Sequence, residues 1–399
     1  MPRWNSFTSF LNEARAAAND GSRQTLVDSL LQERPQWPWV EGRKATFIYN
    51  GTDVKHGVAL NLDTIKSDPP FDPLTNLEDT SLWFVTRTFE DDDLLDYLLA
   101  IDDPMTPLAQ EADVVSRVAE HWQPDGLNPL RMTVPGQSVS VLRMPNARPF
   151  ADWTAMPGVP RGRVLEHTFS SAQLGVNGRK LWVYTPPGYD ESDAIYPLLI
   201  LMDGQWANGP LQVPHIADAL IKHGRMAPAL IAMVQSAEPQ HRIREYVGND
   251  RQYGSLLLEV LPLVQVSYRI DPTRLGLGGV DVGAVAAAHA ALLNPAVFSS
   301  LILISPPMGK GADEDLLQTY STRFRNARVL PSRIFQSVGR YEARNRFLRP
   351  AEALRDILRS RPEVDYRYYE IGSGHGLVGF RSILPEALAW AVPVPQAVD

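Results

Sequence analysis

The sequence predicts an α/β fold in its C-terminal part: a doubly wound, mostly parallel sheet, preceded by a smaller β-sandwich. From residue 162 onward, strand candidates alternate with helix candidates, which is the pattern of parallel sheets covered by helices. Two of the strands are continuous apolar runs, Pro197-Leu198-Leu199-Ile200-Leu201-Met202 and Leu301-Ile302-Leu303-Ile304, typical of strands buried on both faces. Before residue 145, strand candidates follow one another with only turn signals between them.

Composition excludes several classes of function. The 399 residues are 44% hydrophobic and 21% charged, which describes a globular protein with ample core material and room for two domains. A formal charge of -8 argues against a nucleic-acid partner or an anionic membrane surface. With no cysteine, disulfides, thiolate metal sites and cysteine nucleophiles are excluded. No leader-like or membrane-spanning run is visible, so a cytoplasmic location is expected, with no metal and no cofactor.

Local patterns divide the chain into four segments. Helical spacing of apolar residues predicts helices over 6–18 and 22–33, and the break Pro35-Gln36-Trp37-Pro38-Trp39 ends them. Strands follow, and a stretch with four prolines then reads as a linker. The predicted segments are residues 1–40 (helices), 41–145 (β-sandwich), 146–161 (linker) and 162–399 (α/β domain). The predicted strands of the sandwich cover residues 45–49, 58–62, 81–89, 94–101 and 138–144.

The α/β part has eight strand candidates and five helix candidates. The strands cover residues 163–170, 179–185, 196–202, 229–234, 274–277, 300–304, 333–338 and 365–371. The helices cover residues 212–223, 253–266, 284–293, 351–359 and 382–389.

One glycine-rich turn organises this part of the chain. Gly279-Val280-Asp281-Val282-Gly283 joins a short apolar strand to an Ala-rich helix. It has the shape of a nucleophile elbow, G-x-S-x-G, in which a strained strand-to-helix turn presents one side chain above a sheet. The central residue is aspartate instead of serine.

Two later residues complete a catalytic pattern in the chain order nucleophile, acid, histidine. Glu342 follows a strand that ends near Val338, and His375 lies in the glycine-flanked loop Gly372-Ser373-Gly374-His375-Gly376 after the last strand. Both positions are at carboxyl ends of strands, where ligands bind in open α/β folds. Asp281, Glu342 and His375 are therefore the candidate catalytic residues.

The sequence resembles the enterochelin (ferric enterobactin) esterase-like family, in the esterase D-like branch of the α/β-hydrolases. The resemblance is carried by six phrases. They are Thr133-Val134-Pro135-Gly136, Tyr184-Thr185-Pro186-Pro187-Gly188-Tyr189, Leu201-Met202-Asp203-Gly204-Gln205, Arg242-Ile243-Arg244-Glu245-Tyr246, the helix phrase 257–268 leading to Arg269-Ile270-Asp271-Pro272, and Gly372-Ser373-Gly374-His375.

The resemblance implies an Ig-like (early-set) β-sandwich before the hydrolase domain and a small-molecule ester as the ligand. It places His375 as the catalytic histidine and Glu342 as the acid. Backbone N–H groups near Gly204 and Gln205 and at Val282 would form the oxyanion hole. Arg242 and Glu245 would lie beside the pocket, with a structural salt bridge as the alternative role. The family has serine where this chain has Asp281.

Three roles for Asp281 stay open at this point. The chain could be an esterase with weak or altered activity, in which Asp281 acts on water as a general base. It could be a pseudo-esterase that binds or scaffolds, with Asp281 in a static ion pair with His375. It could also be an Asp-nucleophile hydrolase of the epoxide or haloalkane type, in which the carboxylate attacks carbon. Ser236 and Ser305 follow other strands, but neither lies on an elbow. A homo-oligomer also stays open.

Overall fold

The computed structural model describes residues 2–134, 137–311 and 314–395. The chain divides into two compact units, one of Met1–Arg148 with Gly372–Val378 and one of Pro149–Ile371 with Gly379–Asp399. Part of one predicted family phrase, Pro135-Gly136, lies outside the described residues. The predicted segment boundaries at residues 40, 145 and 161 stay a prediction.

Within its described residues, 2–134, 137–148 and 372–378, the first unit contains two antiparallel sheets and three helices. One sheet has the strand order β1-β2-β6-β5, and the other has the order β4-β3-β7-β10-β9, with β8 paired to β7. The helices are α1 (Phe7–Arg15), α2 (Asp20–Glu33) and α3 (Val114–His121), with a 3-10 turn at Leu108–Gln110. The strands are β1 (Trp39–Glu41), β2 (Lys44–Asn50), β3 (Val58–Leu62), β4 (Phe71–Pro73), β5 (Thr75–Asn76), β6 (Leu82–Thr88), β7 (Leu94–Ile101), β8 (Trp122–Gln123), β9 (Arg131–Val134) and β10 (Gln137–Arg143).

Aromatic residues join the parts of this unit. Phe47 on β2 packs against Tyr97 on β7 with 4.9 Å between ring centroids, which links the two sheets of the sandwich. Helix α1 begins with a capping box in which Ser6 and Ser9 satisfy each other's backbone N–H groups. The two N-terminal helices pack on the four-stranded sheet through a cluster that includes Phe10 and Leu30.

The second unit is built on an eight-stranded mixed sheet with the order β11-β12-β14-β13-β15-β16-β17-β18. The strands are β11 (Arg163–Ser171), β12 (Val176–Thr185), β13 (Tyr196–Met202), β14 (Leu230–Val234), β15 (Ile270–Val280), β16 (Phe298–Ile304), β17 (Arg333–Gly339) and β18 (Asp365–Ile371). The strands from β14 to β18 in this order are parallel, and β11 and β12 are antiparallel to their neighbours.

Helices connect these strands, as the alternating pattern predicts. They are α4 (Gly204–Asn208), α5 (Val213–Lys222), α6 (Pro239–Tyr246), α7 (Asp250–Ser255), α8 (Leu261–Ser267), α9 (Val282–Leu293), α10 (Glu314–Asn326), α11 (Arg349–Arg359) and α12 (Leu377–Ala391). Short π-helical segments at Leu256–Val260 and Arg344–Leu348 precede α8 and α11, and a 3-10 turn lies at Trp153–Ala155.

The central strands and α9 form the core of this unit. Every residue of β13 is buried, which confirms the prediction from its continuous apolar run. Ten of the twelve residues of α9 are buried, because its alanines allow the helix to pack closely on the sheet. The mixed sheet, the covering helices and the N-terminal β domain confirm the predicted fold class.

The prediction failed at short elements and at one longer helix, α10, which was not predicted. We expected no helix between the strands of the sandwich, whereas α3 lies there. The short helices α4 and α6 were not predicted either, although both carry residues of the candidate site. Strand β15 begins four residues earlier than predicted, because Asp271-Pro272-Thr273 resembles a turn but continues in extended backbone.

Candidate active site at the elbow

The predicted elbow is present between β15 and α9. Asp281 has φ 51° and ψ -132°, a backbone conformation that non-glycine residues rarely adopt and that is typical of strained functional turns. Its N–H donates to the carbonyl oxygen of Ile304 at 2.9 Å. A Cβ on Gly279 would lie 2.6 Å from the carbonyl oxygen of Gly283, so only glycine fits where the helix turns back on the strand. This turn therefore has the backbone form of a nucleophile elbow, with an aspartate at its centre.

Asp281 forms an ion pair with Arg242, a residue of α6. The Arg242 Nη1 donates to Asp281 Oδ2 at 2.8 Å. The rest of the guanidinium binds Asp203, with Nε donating to Oδ1 at 2.7 Å and Nη2 donating to Oδ2 at 2.6 Å. Its Cζ also lies 4.4 Å from the centroid of the Trp206 ring. One arginine therefore holds two carboxylates, one from the elbow and one from the end of β13.

This network of two carboxylates and one guanidinium is largely buried. The side chains of Arg242, Asp203 and Asp281 are 10%, 1% and 17% exposed. Burial lowers the pKa of Arg242, but the hydrogen bonds and charges of the two carboxylates outweigh it and raise the pKa above its usual value. Burial raises the pKa of Asp203, and the hydrogen bonds from Arg242 act in the opposite direction. Two carboxylates and one guanidinium leave one formal negative charge.

A cavity of about 380 Å³ opens onto the elbow and brings four predicted site residues together. Asp281, Val282, Gln205 and Arg242 all line this elbow cavity. Val282 is the first residue of α9, so its backbone N–H is at the helix N-terminus, where N–H groups lack intrahelical partners. Gly204 begins α4 next to Gln205, and a Cβ there would collide with the carbonyl of Met233. The oxyanion-hole role of these backbone groups stays a prediction.

Glu245 lies beside a neighbouring cavity instead. Its Oε2 accepts a hydrogen bond from Arg179 Nη2 at 2.7 Å, with both side chains less than a tenth exposed, and its Oε1 accepts the N–H of Ala237. That cavity, of about 570 Å³, shares four lining residues with the elbow cavity. These are Gln235, Ser236, Ala237 and Glu238. Arg242 and Glu245 thus line cavities and form salt bridges at once, so the two predicted alternatives are not exclusive.

Glu342 is held by local hydrogen bonds just after β17. Its Oε1 accepts from Ser305 Oγ at 2.6 Å and from the N–H of Gly339 at 2.9 Å. Glu342 and Ser305 are both buried. Ser305, one of the two serines considered besides the elbow residue, therefore donates a hydrogen bond to the predicted acid. Ser236 lines both cavities and exchanges hydrogen bonds with Gln205.

His375 belongs to the first unit, together with Gly372–Val378. Its backbone N–H donates to Asp63 Oδ2 at 3.0 Å, and its side chain is exposed within a loop between β18 and α12. Asp281 forms an ion pair with Arg242. The ion pair between Asp281 and His375 that a degenerate enzyme would have stays a prediction.

Sequence reasoning missed the role of Asp203, which binds Arg242, and it missed Trp206 and Arg346 among the residues that line the elbow cavity. Asp203 directly follows an all-apolar strand, and a lone carboxylate in that place is itself a signal. Trp206 lines the cavity and stacks on Arg242. Arg346 also lines it, and its buried Nε has no hydrogen-bond partner among the residues that the structure describes. No local sequence signal identifies Arg346.

Comparison with known proteins decides the family. Residues 171–391, more than half of the chain, match the esterase family described as "Putative esterase". The chain belongs to this esterase family. Iron(III) enterobactin esterases of Escherichia coli strains K12 and CFT073 are each 27% identical to this esterase-family chain, over 173 and 171 residues. Each match covers 42% of this chain, and it spans only 41% of each relative's own length.

Solved structures show the same fold over nearly the whole esterase-family chain. Ferric enterobactin esterase from Salmonella typhimurium matches with a TM-score of 0.74 and 20% identity, covering 91% of this chain and 98% of that one. Enterobactin esterase from Shigella flexneri, crystallised in the presence of enterobactin, matches with a TM-score of 0.71 and 21% identity, covering 87% and 92%. The predicted resemblance to enterochelin esterases is confirmed for family and fold.

Two searches of the described residues gave no candidates. None of the helices in residues 2–134, 137–311 and 314–395 is long and apolar enough to cross a membrane. Within the same ranges, no group of three His, Asp or Glu side chains is arranged to hold a metal ion.

Proposed function

We propose that this chain is an ester-binding member of the esterase family that has lost turnover through an acyl-enzyme, and that it hydrolyses its ligand slowly at most. The observation that carries the proposal is the 2.8 Å ion pair between Asp281 and Arg242. An esterase nucleophile is a hydroxyl oxygen made reactive by a base. Here the elbow carries a carboxylate, and one of its oxygens is stabilised by a guanidinium.

A carboxylate on the elbow is a poor replacement for serine in ester hydrolysis. Its attack on an ester carbonyl would form an anhydride, which is less stable than the ester itself. The ion pair lowers the energy of the ground state further, since Arg242 stabilises the charge that attack would consume. Binding and oxyanion stabilisation survive the loss of a nucleophile, as mutant hydrolases demonstrate.

The elbow cavity supports retained binding. The N–H groups of Val282 and Gln205 are the proposed donors to the carbonyl oxygen of an ester. Arg346 adds a buried Nε that has no partner among the described residues, and this donor suits a further acceptor on the ligand. The neighbouring cavity extends the space toward Arg179, so the ligand can be larger than the elbow cavity alone would hold.

The names of the relatives suggest the class of ligand. They are esterases of iron(III) enterobactin, and one was crystallised in the presence of enterobactin. We propose a small-molecule ester for this chain, with enterobactin as one probe among others. Iron would enter as part of such a ligand. A cytoplasmic location, expected from the sequence, stays a prediction.

We propose that Glu342 and His375 keep the roles of acid and base that a serine on the elbow would need. Glu342 is already oriented by Ser305 and Gly339. If these roles are intact, one substitution at the elbow restores the trio of hydrolase residues. This gives the proposal a direct test.

The test measures hydrolysis of p-nitrophenyl butyrate by wild type, Asp281→Ser, His375→Ala and the double variant Asp281→Ser/His375→Ala. We expect wild type and His375→Ala to be equally slow. Asp281→Ser should be at least tenfold faster, and the double variant should lose that gain. The corresponding anilide, N-(4-nitrophenyl)butanamide, should bind wild type in calorimetry. It should bind Ala237→Trp more weakly, because this substitution fills both cavities.

A carboxylate-nucleophile hydrolase is the second candidate, and the position of Asp281 on the elbow favours it. Wild-type ester turnover that disappears in both Asp281→Asn and His375→Ala would contradict our proposal. Turnover of an epoxide or haloalkane with a covalent adduct on Asp281, detected by mass spectrometry of a trapped His375→Ala variant, would establish this alternative. Absence of binding to any ester would leave a scaffold role.

A further inference from the structure

The loop that carries His375 is fixed by the β-sandwich of its own unit. The N–H of Leu94, the first residue of β7, donates to the carbonyl oxygen of Gly372 at 2.7 Å. The N–H of His375 donates to Asp63 Oδ2 at 3.0 Å. The loop is thus tied at both ends to residues more than 270 positions away in sequence.

The glycines of the loop leave space for these contacts. A Cβ on Gly374 would collide with the Asp63 carboxylate, and a Cβ on Gly372 would lie 2.8 Å from Asp93 Oδ1. The carboxylate of Asp63 therefore occupies the place where a side chain at residue 374 would be. The β-sandwich of the first unit approaches the loop so closely that glycine is needed on the N-terminal side of the histidine.

A second carboxylate lies beside the same loop. Asp96 on β7 is within 3.6 Å of where a Cβ on Gly376 would be. Burial and the charge of Asp63 raise the pKa of Asp96 to about 7, and the charge of His375 opposes this rise. Asp63, Asp96 and His375 thus form one interacting group of titratable side chains.

We propose that Asp63 is a positioning residue for His375, because it holds the loop that carries this histidine within their own unit. Asp63 follows β3, and its side chain is exposed, so the hydrophobic core does not depend on it. To the loop it supplies a charged acceptor for the backbone N–H of His375. The inference rests on the proposed role of His375.

The first experiment tests the contact without any need for activity. Hydrogen–deuterium exchange by mass spectrometry follows the peptide around residues 370–380 in wild type, Asp63→Ala and Asp63→Asn. We expect Asp63→Ala to raise exchange at His375 about tenfold or more, because the amide loses a charge-assisted hydrogen bond. Asp63→Asn keeps an oxygen acceptor and should exchange like wild type. Unchanged exchange in Asp63→Ala would overturn the proposal.

Asp113→Ala is the matched control. Asp113 is also an exposed carboxylate of the first unit that accepts a backbone N–H, from Ser116 at 2.9 Å. Its removal should leave exchange at His375 unchanged. Increased exchange there in both variants would mean general loosening of the unit, and it would count against a specific role for Asp63.

The second experiment uses the Asp281→Ser background with p-nitrophenyl butyrate. Adding Asp63→Ala should lower kcat about tenfold with KM changed less than twofold, and adding Asp63→Asn should restore most of kcat. Equal kcat with and without Asp63→Ala would show that the contact is merely structural. If Asp281→Ser itself is inactive, the proposed loss of the nucleophile fails, and the exchange measurement alone decides whether Asp63 holds the loop.

Discussion

Arg242 and Asp281 are joined by a 2.8 Å hydrogen bond between Nη1 and Oδ2, at the centre of the elbow turn. The same guanidinium also binds Asp203, whose side chain is 1% exposed. Arg242 is therefore the counter-charge of a buried carboxylate as well as the partner of the elbow. Several consequences for stability can be measured.

Arg242→Met should be strongly destabilising, because it leaves Asp203 buried without a counter-charge. Loss of one partner of a buried pair costs about 3–5 kcal/mol of unfolding free energy. Urea denaturation of wild type and variant measures it. The control is Arg225→Met, which removes a pair with Glu386 whose side chains are 48% and 30% exposed. It should cost less than about 1 kcal/mol. Equal losses of unfolding free energy in the two variants would contradict the explanation that burial makes the Arg242 pair more important for stability.

Gly283→Ala should destabilise the elbow through overpacking. Its Cβ would collide with Asp203 Oδ2 and would lie 3.1 Å from Met202 Cβ. Such crowding in a packed core costs about 1–3 kcal/mol. Thermal denaturation compares it with Gly126→Ala, where an added Cβ meets nothing within 4 Å. A melting temperature for Gly283→Ala at or above that of the control would show that the elbow can relax.

Ser305→Ala should release Glu342 from its shortest hydrogen bond. The Oγ–Oε1 distance is 2.6 Å and both residues are buried, so the loss should be about 1.5–3 kcal/mol, as for bonds to charged groups. Chemical denaturation provides the value. Ser332→Ala is the control, since its exposed hydroxyl binds only the carbonyl of Ser299. It should change stability by less than about 0.5 kcal/mol. A similarly small effect of Ser305→Ala would mean that the hydrogen bond from Ser305 is not needed to hold the acid.

Asp96→Asn should stabilise the protein at high pH and not at low pH. The pKa of Asp96 is raised from 3.8 to about 7, so the folded state holds this proton more tightly than the unfolded state. Its contribution to stability is therefore full below pH 4 and falls as pH rises to 7. Asparagine at residue 96 does not titrate, so the variant does not lose this stability as the pH rises. Because solvent partly reaches Asp96, we expect a gain of roughly 2 kcal/mol at pH 8, less than the full shift implies.

Urea unfolding of both proteins at pH 4 and pH 8 measures this difference. Asp113→Asn should have the opposite effect and lower the free energy of unfolding at high pH. Hydrogen bonds from Ser116 lower the pKa of Asp113, so its contribution is present above pH 3.8 and disappears as pH falls through the lowered value. A gain for Asp96→Asn that is the same at both pH values would rule out titration as its cause.

The fold class could be predicted from the sequence because the patterns that indicate it are local. Continuous apolar strands, alanine-rich α9 and the glycines around Asp281 each follow from short-range physics, and each was predicted. Short elements such as α4 and α6 were missed, since five to eight residues hold too little periodicity to separate a helix from a loop.

The sequence named some of the residues that line the elbow cavity, and it did not indicate the contacts between them. Arg242 and Asp281 are 39 positions apart, and Asp63 and His375 are 312 apart. Such pairs depend on how the sheet and its loops bring distant segments together, which no local pattern encodes. The assignment of the His375 loop to the N-terminal unit could not be foreseen for the same reason.

The backbone at Asp281 has a consequence for the history of this chain. The close approach of Gly279 to Gly283 and the backbone hydrogen bond to Ile304 involve no side-chain atom of residue 281. Evolution can therefore exchange the residue on this turn without losing these contacts. Under the proposed function, a single amino-acid exchange would separate this chain from an active esterase.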